Sequence, residues 1–457
     1  MKIALKNMGI LHEAEFEVGD LTLICGENNM GKTYAAYSFY GYLKFMHSAE
    51  DSFLKIKTAD FHLEDGSRGY TYRQLEKDLK SYLDEKLQLY AKDILCNFMA
   101  GKDEDFLDTD FRLELSISSV QVKDALQAYL ENTQLRKYFT LHYTLHNDRL
   151  TFTTPPNADY LHIFFDVLLT TMMPRPFILS VERTGASIFQ GELDFAKINK
   201  FEIARQLLQD KKHEKPDFLE LFEIHQQANQ RSQIYPKPVR DNISFIRDAK
   251  RICRQSSMFK QEKEKYKAIL DLLGKLVGGK YKAMDLGLFF QPKGSRSAYP
   301  LEIASSSVRS LLILNYYILH VAQKNDILMI DEPELNLHPN NQILMGRLLA
   351  LLVNAGIKVF ITTHSDYIVR ELSNCIMLKN LKTTQIDNLR KQGYTQEYSL
   401  DSSRVRAYVA KTIKKQNTLV PVKITQLQGI FMKTFDAPIE TQGENQSLIV
   451  ENIALKS

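Results

Sequence analysis

Short apolar runs, each closed by a polar or glycine-containing cluster, alternate along this chain with longer charged segments. Lys2–Leu5, Ala14–Val18 and Leu21–Cys25 read as three short strands, and Gly19 and Asp20 turn the chain between the last two. A helix is expected from Lys32 towards Phe45. Tyr72–Phe98 is charged with leucines at helical spacing, the pattern of an amphipathic helix. Phe111–Ile117, Phe139–Leu145 and Leu150–Thr154 alternate as strands do. His146, Asn147 and Asp148 form a turn between the last two, and a helix follows over Ala158–Met173.

Phe177–Val181 is a compact apolar run that reads as a return to a central sheet. It ends in Glu182 and Arg183, polar groups at a strand's carboxyl end, where ligands sit in open α/β sheets. Asp194–Leu276 looks helical and heavily charged, and the mixed signs of Lys260–Lys267 read as a solvated helix face. Leu286–Gln291 and Ala298–Ile303 read as strands around the turn Pro292–Lys293–Gly294. An apolar helix, Val308–Ala322, precedes two buried runs, Ile327–Ile330 and Val359–Ile361. Leu419–Ile424 and Gly429–Ala437 suggest a small β-hairpin near the end. The fold class is α/β.

At 457 residues with 44% hydrophobic content, the chain can bury a sizeable core. A net charge of +4 is too small to argue for nucleic acid by itself. Cys25, Cys96, Cys253 and Cys375 lie far apart, without zinc-site spacing or a disulfide framework. Lys2 and Lys6 stand where a secretory signal would be apolar, and Leu161–Met173 and Leu311–Ala322 are too short to span a bilayer. A cytoplasmic protein without a membrane partner is expected.

Gly26, Glu27, Asn28, Asn29, Met30, Gly31, Lys32 and Thr33 form a complete G-x-x-x-x-G-K-[ST] phosphate loop between an expected strand and an expected helix. The glycines let backbone N–H groups turn inward around phosphates, Lys32 supplies charge to the β/γ oxygens, and Thr33 offers a hydroxyl to Mg²⁺. The helix start adds unpaired donors and a partial positive charge. ATP and Mg²⁺ are the implied ligands. Such a loop requires a carboxylate at the end of another buried strand, and Ile327–Ile330 is followed by Asp331 and Glu332. Asp331 would hold the metal through its water shell, and Glu332 would polarise the attacking water. Val359–Ile361 closes on Thr362, Thr363, His364 and Ser365, which places His364 where it can contact a γ-phosphate.

The phosphate loop, the segment Asp331–Pro339 and the run Thr362–Ser365 together resemble the ABC-type ATPase heads of the SMC/RecF/OLD group. The resemblance covers roughly residues 1–60 and 175–380. It implies that Glu332 is the catalytic base, that His364 is the switch residue, and that Glu334–Pro339 lies at a dimer interface. It also implies a signature motif, and Ala304–Ser310 stands there, opening the apolar helix. Ser305 would approach ATP bound by the opposite subunit of a homodimer. Ser307 occupies the place where glycine is usual, which bears on how closely backbone approaches phosphate.

The implied organisation is an ATPase-head N-terminal lobe over residues 1–48 and a helical and β-rich insertion over 49–174. A C-terminal lobe over 175–380 carries a helical subdomain at 195–276, and a small β-containing element covers 381–457.

Within the group, Pro176–Asp194 with Glu182–Gly185 and Phe189 is similar to stand-alone ATPase subunits of bacterial anti-phage systems, OLD-like and of the Septu and PARIS type. This implies a sensor or scaffold that controls a separate nuclease or toxin, with higher assembly beyond the dimer. The alternative is a RecF-like ATPase that binds DNA in repair, using Arg404, Arg406, Lys411, Lys414 and Lys415, which otherwise read as one solvated helix face. Residues 375–457 contain no Asp-x-Asp pair, so no intrinsic nuclease is expected. Arg136 and His142 have a ribonuclease-like spacing but fall on a strand-like stretch, so no catalytic role is assigned to them.

Overall fold

The apolar runs assemble into one nine-stranded sheet. The structure, a computed structural model, describes residues 1–47, 67–131, 142–146, 149–153, 160–188, 235–284, 287–431 and 436–454. The strands in chain order are β1 (Lys2–Met8), β2 (Leu11–Glu17), β3 (Leu21–Gly26), β4 (Ser67–Thr71), β5 (Asp110–Glu114), β6 (His142–His146) and β7 (Arg149–Thr153). Then come β8 (Arg175–Leu179), β9 (Gly279–Met284), β10 (Gly287–Pro292), β11 (Tyr299–Pro300), β12 (Asp326–Asp331) and β13 (Lys358–Thr363). The last four are β14 (Val405–Ile413), β15 (Gln416–Pro421), β16 (Ile424–Thr425) and β17 (Gly429–Ile430).

The main sheet runs β5-β1-β2-β15-β14-β3-β13-β12-β8. From β14 to β8 the pairs are all parallel, whereas β5–β1, β1–β2 and β15–β14 are antiparallel. Parallel strands covered on both faces read as continuous apolar runs, and β3 and β12 are buried at every position. The pleat divides them between two cores. Ile327, Met329 and Phe360 face a cluster with Phe39 and Leu43 of the helix Lys32–Met46. Leu328, Ile330 and Val359 face the other, with Leu311 of the helix Ser306–Tyr316, Leu348 of Pro339–Asn354 and Leu372 of Asp366–Leu378. Register sets Asp331 opposite Thr362 and Thr363 opposite Cys25, so the carboxyl ends of β3, β13 and β12 line up.

Several expected boundaries move. The amphipathic helix from Tyr72 gives way to a π turn at Tyr90–Ile94, then resumes over Leu95–Met99. Tyr90 is fully buried there and donates its hydroxyl to the Ser38 carbonyl at 2.7 Å, a tertiary demand that helical periodicity does not register. The apolar helix before β12 is α-helical over Ser306–Tyr316 and ends in a π turn, Tyr317–Val321. Tyr317 there donates to the buried Asp326 at 3.0 Å. Strand character at Ala298–Ile303 shrinks to β11, followed by a 3-10 turn over Leu301–Ile303. Of the charged stretch Asp194–Leu276, residues 194–234 lie outside the described residues, as do residues 139–141, Asn147, Asp148 and Arg136. Its remainder holds the helices Lys237–Arg247, Ala249–Ile252, Met258–Gln261 and Lys267–Val277, and residues 262–266, within the stretch read as a helix face, form a turn.

The basic residues near the end are not one face of a helix. Val405–Ile413 is β14, inserted beside β3, with Lys414 and Lys415 in the left-handed turn to β15. Arg404 donates to Asp20 at 2.7 Å and Arg406 to Glu17 at 2.8 Å, so two of the five cations are ion-paired within the chain. Leu419 belongs to β15, which pairs with β14 in the main sheet. The late hairpin is only β16–β17, and Asp436–Ala454 is a helix rather than a continuing strand. Strand β5, from the region expected as an insertion, pairs with β1 at the sheet's outer edge. No helix among the described residues is long and apolar enough to cross a membrane.

Candidate active site

Strand β3 delivers a loop whose backbone conformation its neighbours dictate. Gly26, Asn29 and Gly31 have φ of 134°, 59° and 89°. A Cβ on Gly26 would lie 2.4 Å from the Ala410 carbonyl oxygen of β14, and one on Gly31 would lie 2.3 Å from Leu11 Cγ of β2. Both glycines are therefore required by close approach as well as by φ. Asparagine tolerates the left-handed region better than other side chains, which suits Asn29. Glu27, Asn28, Asn29 and Thr33 are exposed and Met30 is half-buried. Lys32 is 6% exposed and donates to the carbonyls of Gly26 at 3.0 Å and Glu27 at 2.6 Å. Burial holds its pKa below the usual lysine value, while the Asp331 and Glu332 carboxylates pull the other way.

Asp331 ends β12 and is 2% exposed. Its Oδ1 accepts from the Thr362 hydroxyl across the strand pair, whereas Oδ2 is buried with no hydrogen-bond partner among the described residues. Burial raises its pKa to about 6; the Thr362 bond opposes this and the Glu332 carboxylate adds to it. A buried carboxylate oxygen without a donor is destabilising unless a cation or donor meets it. Together with the Thr33 hydroxyl this oxygen donor set fits Mg²⁺.

Glu332, one residue on, has a left-handed φ of 53°, a conformation that costs about 1–3 kcal/mol outside glycine and persists only where the surroundings enforce it. Its N–H donates to the Thr362 carbonyl at 3.0 Å. Its carboxylate lies 3.3 Å from His364 Nε2, and that hydrogen bond is the main reason its pKa sits below the ordinary glutamate value. His364 is itself fixed from behind, because its backbone N–H donates to Glu334 at 2.6 Å and the Thr363 hydroxyl donates to the same carboxylate at 2.9 Å. Burial raises the Glu334 pKa. Lys32, Asp331, Glu332 and His364 thus come from three strand ends into one electrostatic unit.

Sequence reasoning missed the part played by Arg183. It begins the short helix Arg183–Ile188, is 2% exposed, and donates to the carbonyls of Ser180, Asp331, Glu332 and Ser310. Burial lowers its pKa to about 10, still far above neutrality. Because all four acceptors are backbone oxygens, no residue type marks the interaction in the sequence. Glu334 was equally illegible as a clamp, since its partners are a hydroxyl and a backbone N–H. Glu182 is exposed and accepts from the Tyr37 hydroxyl at 3.3 Å.

Ser305 is exposed and Ser307 half-buried at the start of the helix Ser306–Tyr316. Ser305 caps that helix, accepting from the Val308 N–H at 3.4 Å, and its hydroxyl lies 3.0 Å from that of Ser307. Their hydrogen bonds are all local to the helix start; none runs to the phosphate loop of the same chain.

A family model described as AAA ATPase domain matches residues 1–369. No curated protein matches the chain. Among solved structures, an SMC head bound to the C-winged helix domain of ScpA is similar at 10% identity and a TM-score of 0.37, covering 93% of this chain and 98% of that one. The SMC head domain of Pyrococcus furiosus, with an extended coiled coil and bound to the C-terminal domain of ScpA, has 12% identity and a TM-score of 0.34, covering 97% and 98%. The SMC head domain from Thermotoga maritima has 10% identity and a TM-score of 0.30, covering 93% and 98%.

Proposed function

From the premise that this chain belongs to the AAA ATPase domain family, matched over residues 1–369, we propose that it hydrolyses ATP as a two-state switch controlling a separate effector. The observation that carries the chemistry is the meeting of Lys32 and Thr33 with the strand-end pair Asp331–Glu332, with Glu332 held by His364 at 3.3 Å. The loop amides and Lys32 bind and orient the β/γ-phosphates. Thr33 and Asp331 would hold Mg²⁺, which when bound supplies positive charge to the phosphate oxygens. Glu332, kept ionised by its histidine bond, accepts the proton of the attacking water. His364, bonded to the same carboxylate, then responds to the γ-phosphate.

The exposed Ser305 at a helix start supports an ABC-type arrangement in which two chains enclose ATP between the loop of one and the signature helix of the other. The sequence resemblance to OLD-like, Septu- and PARIS-type subunits supports anti-phage defence as the setting and a nuclease or toxin as the effector. Among the described residues no group of three or more His, Cys, Asp or Glu is placed to hold another metal. The RecF-like reading draws less support, because Arg404 and Arg406 spend their charge on Asp20 and Glu17.

Glu332→Gln tests the reading. The variant should bind Mg·ATP, turn over about 100- to 10,000-fold more slowly, and accumulate as an ATP-bound dimer by mass measurement. Pull-downs with this variant and wild type, in ATP and in ADP, should capture a partner in a nucleotide-dependent way. Unchanged turnover in Glu332→Gln would remove Glu332 as the base.

A further inference from the structure

The geometry points to Arg183 as a positioning residue that makes the signature helix and the catalytic glutamate move as one body, an inference resting on the roles proposed above for Ser305 and Glu332. Its guanidinium sits where three segments converge. Nε donates to the Ser310 carbonyl at 3.2 Å, inside the helix that Ser305 caps. Nη1 donates to Asp331 at 2.7 Å and to Ser180, beyond the end of β8, at 2.9 Å. Nη2 donates to the Glu332 carbonyl at 2.6 Å. Ser310 is the fifth residue after Ser305, so one planar group ties the second turn of the signature helix to both peptides that carry the carboxylates.

Three features separate this from ordinary packing. Arg183 is buried, yet all four acceptors are neutral carbonyls, so it is not one half of an ion pair with a stability role of its own. The Asp331, Glu334 and Glu332 carboxylates favour its charge, so its hydrogen bonds are charge-assisted, and those to the Asp331 and Glu332 carbonyls are short. Its shortest bond falls on Glu332, whose backbone is left-handed at φ 53°. The N–H of the same residue, on the peptide that joins it to Asp331, donates to Thr362, so the Glu332 backbone is pinned on both sides. A second contact runs alongside: Asn336 Nδ2 lies 3.4 Å from the Thr184 hydroxyl, joining the segment after Glu332 to the Arg183 helix. A displacement of the signature helix of the size that a phosphate arriving at Ser305 would cause therefore drags the Glu332 peptide, and the reverse holds.

Arg183→Lys is the informative change, because it keeps the positive charge but cannot reach four carbonyls from one plane. Nucleotide affinity should stay within about twofold, since Lys32 and the loop are held by β2, β3 and β14. Turnover should fall about 10- to 100-fold, the scale of a misplaced catalytic group. In a double-mutant cycle, Arg183→Lys and Ser305→Ala should be strongly non-additive in turnover, because each interrupts the same path. Amide hydrogen exchange gives a readout independent of activity: residues 306–316 and 331–338 should both exchange faster in Arg183→Lys, with 32–46 unchanged. In the wild-type chain Mg·ATP should protect 306–316 and 331–338 in step, a measurement that stands even where the variant fails to fold. Additive kinetics, exchange rising evenly over the chain, or protection of one segment without the other would overturn the coupling. Normal turnover in Glu332→Gln would instead overturn the assignment of the base and leave the exchange test of Arg183 intact.

Discussion

Adding one methyl group at Gly26 should disable nucleotide binding from the side opposite the carboxylates. The residue has φ of 134°, a region that side chains rarely enter and that costs about 1–3 kcal/mol. Its new Cβ would lie 2.4 Å from the carbonyl oxygen of Ala410, with the Ala410 nitrogen and carbonyl carbon at 3.1 and 3.2 Å. That obstacle is backbone, so no rotamer change relieves it. Strand β14 is held in turn by β15 and by its own register with β3. Overpacking of this kind adds about 1–3 kcal/mol.

The cheaper relaxation is for the loop to leave its conformation, which breaks the Lys32 bond to the Gly26 carbonyl. Restoring the loop then costs binding about 2–4 kcal/mol, or roughly 30- to 1,000-fold in affinity. Titration of Gly26→Ala with a fluorescent ATP analogue measures this directly. The control is Gly278→Ala, where φ is +67° but nothing lies within 4 Å of the new Cβ. It should lose some stability from backbone strain alone and bind nucleotide as wild type does. Wild-type affinity in Gly26→Ala would refute the claim that β14 shapes the loop.

Lys32→Ala should abolish tight ATP binding in the same titration, since the ammonium is the loop's only lysine. Mixing Lys32→Ala chains with Ser305→Arg chains should restore part of the ATPase activity, one intact shared site per heterodimer; a dead mixture containing heterodimers would argue against a shared site. Thiol labelling of the native chain at pH 8 should fall mainly on half-buried Cys253, because burial pushes Cys25 and Cys96 up to about 12 and raises Cys375 as well. Burial lowers the His47 pKa to about 4, so the folded state keeps the ring neutral while the unfolded chain protonates it below its ordinary value of 6.5. Stability should therefore be whole above that value and fall between it and about pH 4, with a slope approaching about 1.4 kcal/mol per pH unit from this group. His47→Gln should flatten that slope in urea titrations.

The phosphate loop, the carboxylate strand and the histidine strand were legible in the sequence because each is a local pattern. A run of β-branched and apolar residues ending in glycine, Asp–Glu or His needs no partner to be recognised, since a parallel strand buried on both faces is apolar throughout and its functional group stands where the strand ends. Where β14 belonged was not legible. Arg404, Arg406, Lys411, Lys414 and Lys415 carry charges that suit an exposed helix equally well, and only pairing with β3, together with Asp20 and Glu17 across the gap, puts Arg406 and Lys411 in a strand in the sheet's middle, Arg404 just before it and Lys414 and Lys415 in the turn after it.

The π turns at Tyr90 and Tyr317 were hidden for the same reason, since each follows from a hydroxyl finding a buried acceptor that the helical pattern does not mark. Arg183 is the clearest case. Its type and position could be read, but its four acceptors are backbone carbonyls that any sequence would supply. What the sequence determined alone was which residues could carry the chemistry. The order in which distant strands pair, and the backbone oxygens that this order brings to one buried guanidinium, belonged to the tertiary structure, because long-range register is set by packing and has no local signature.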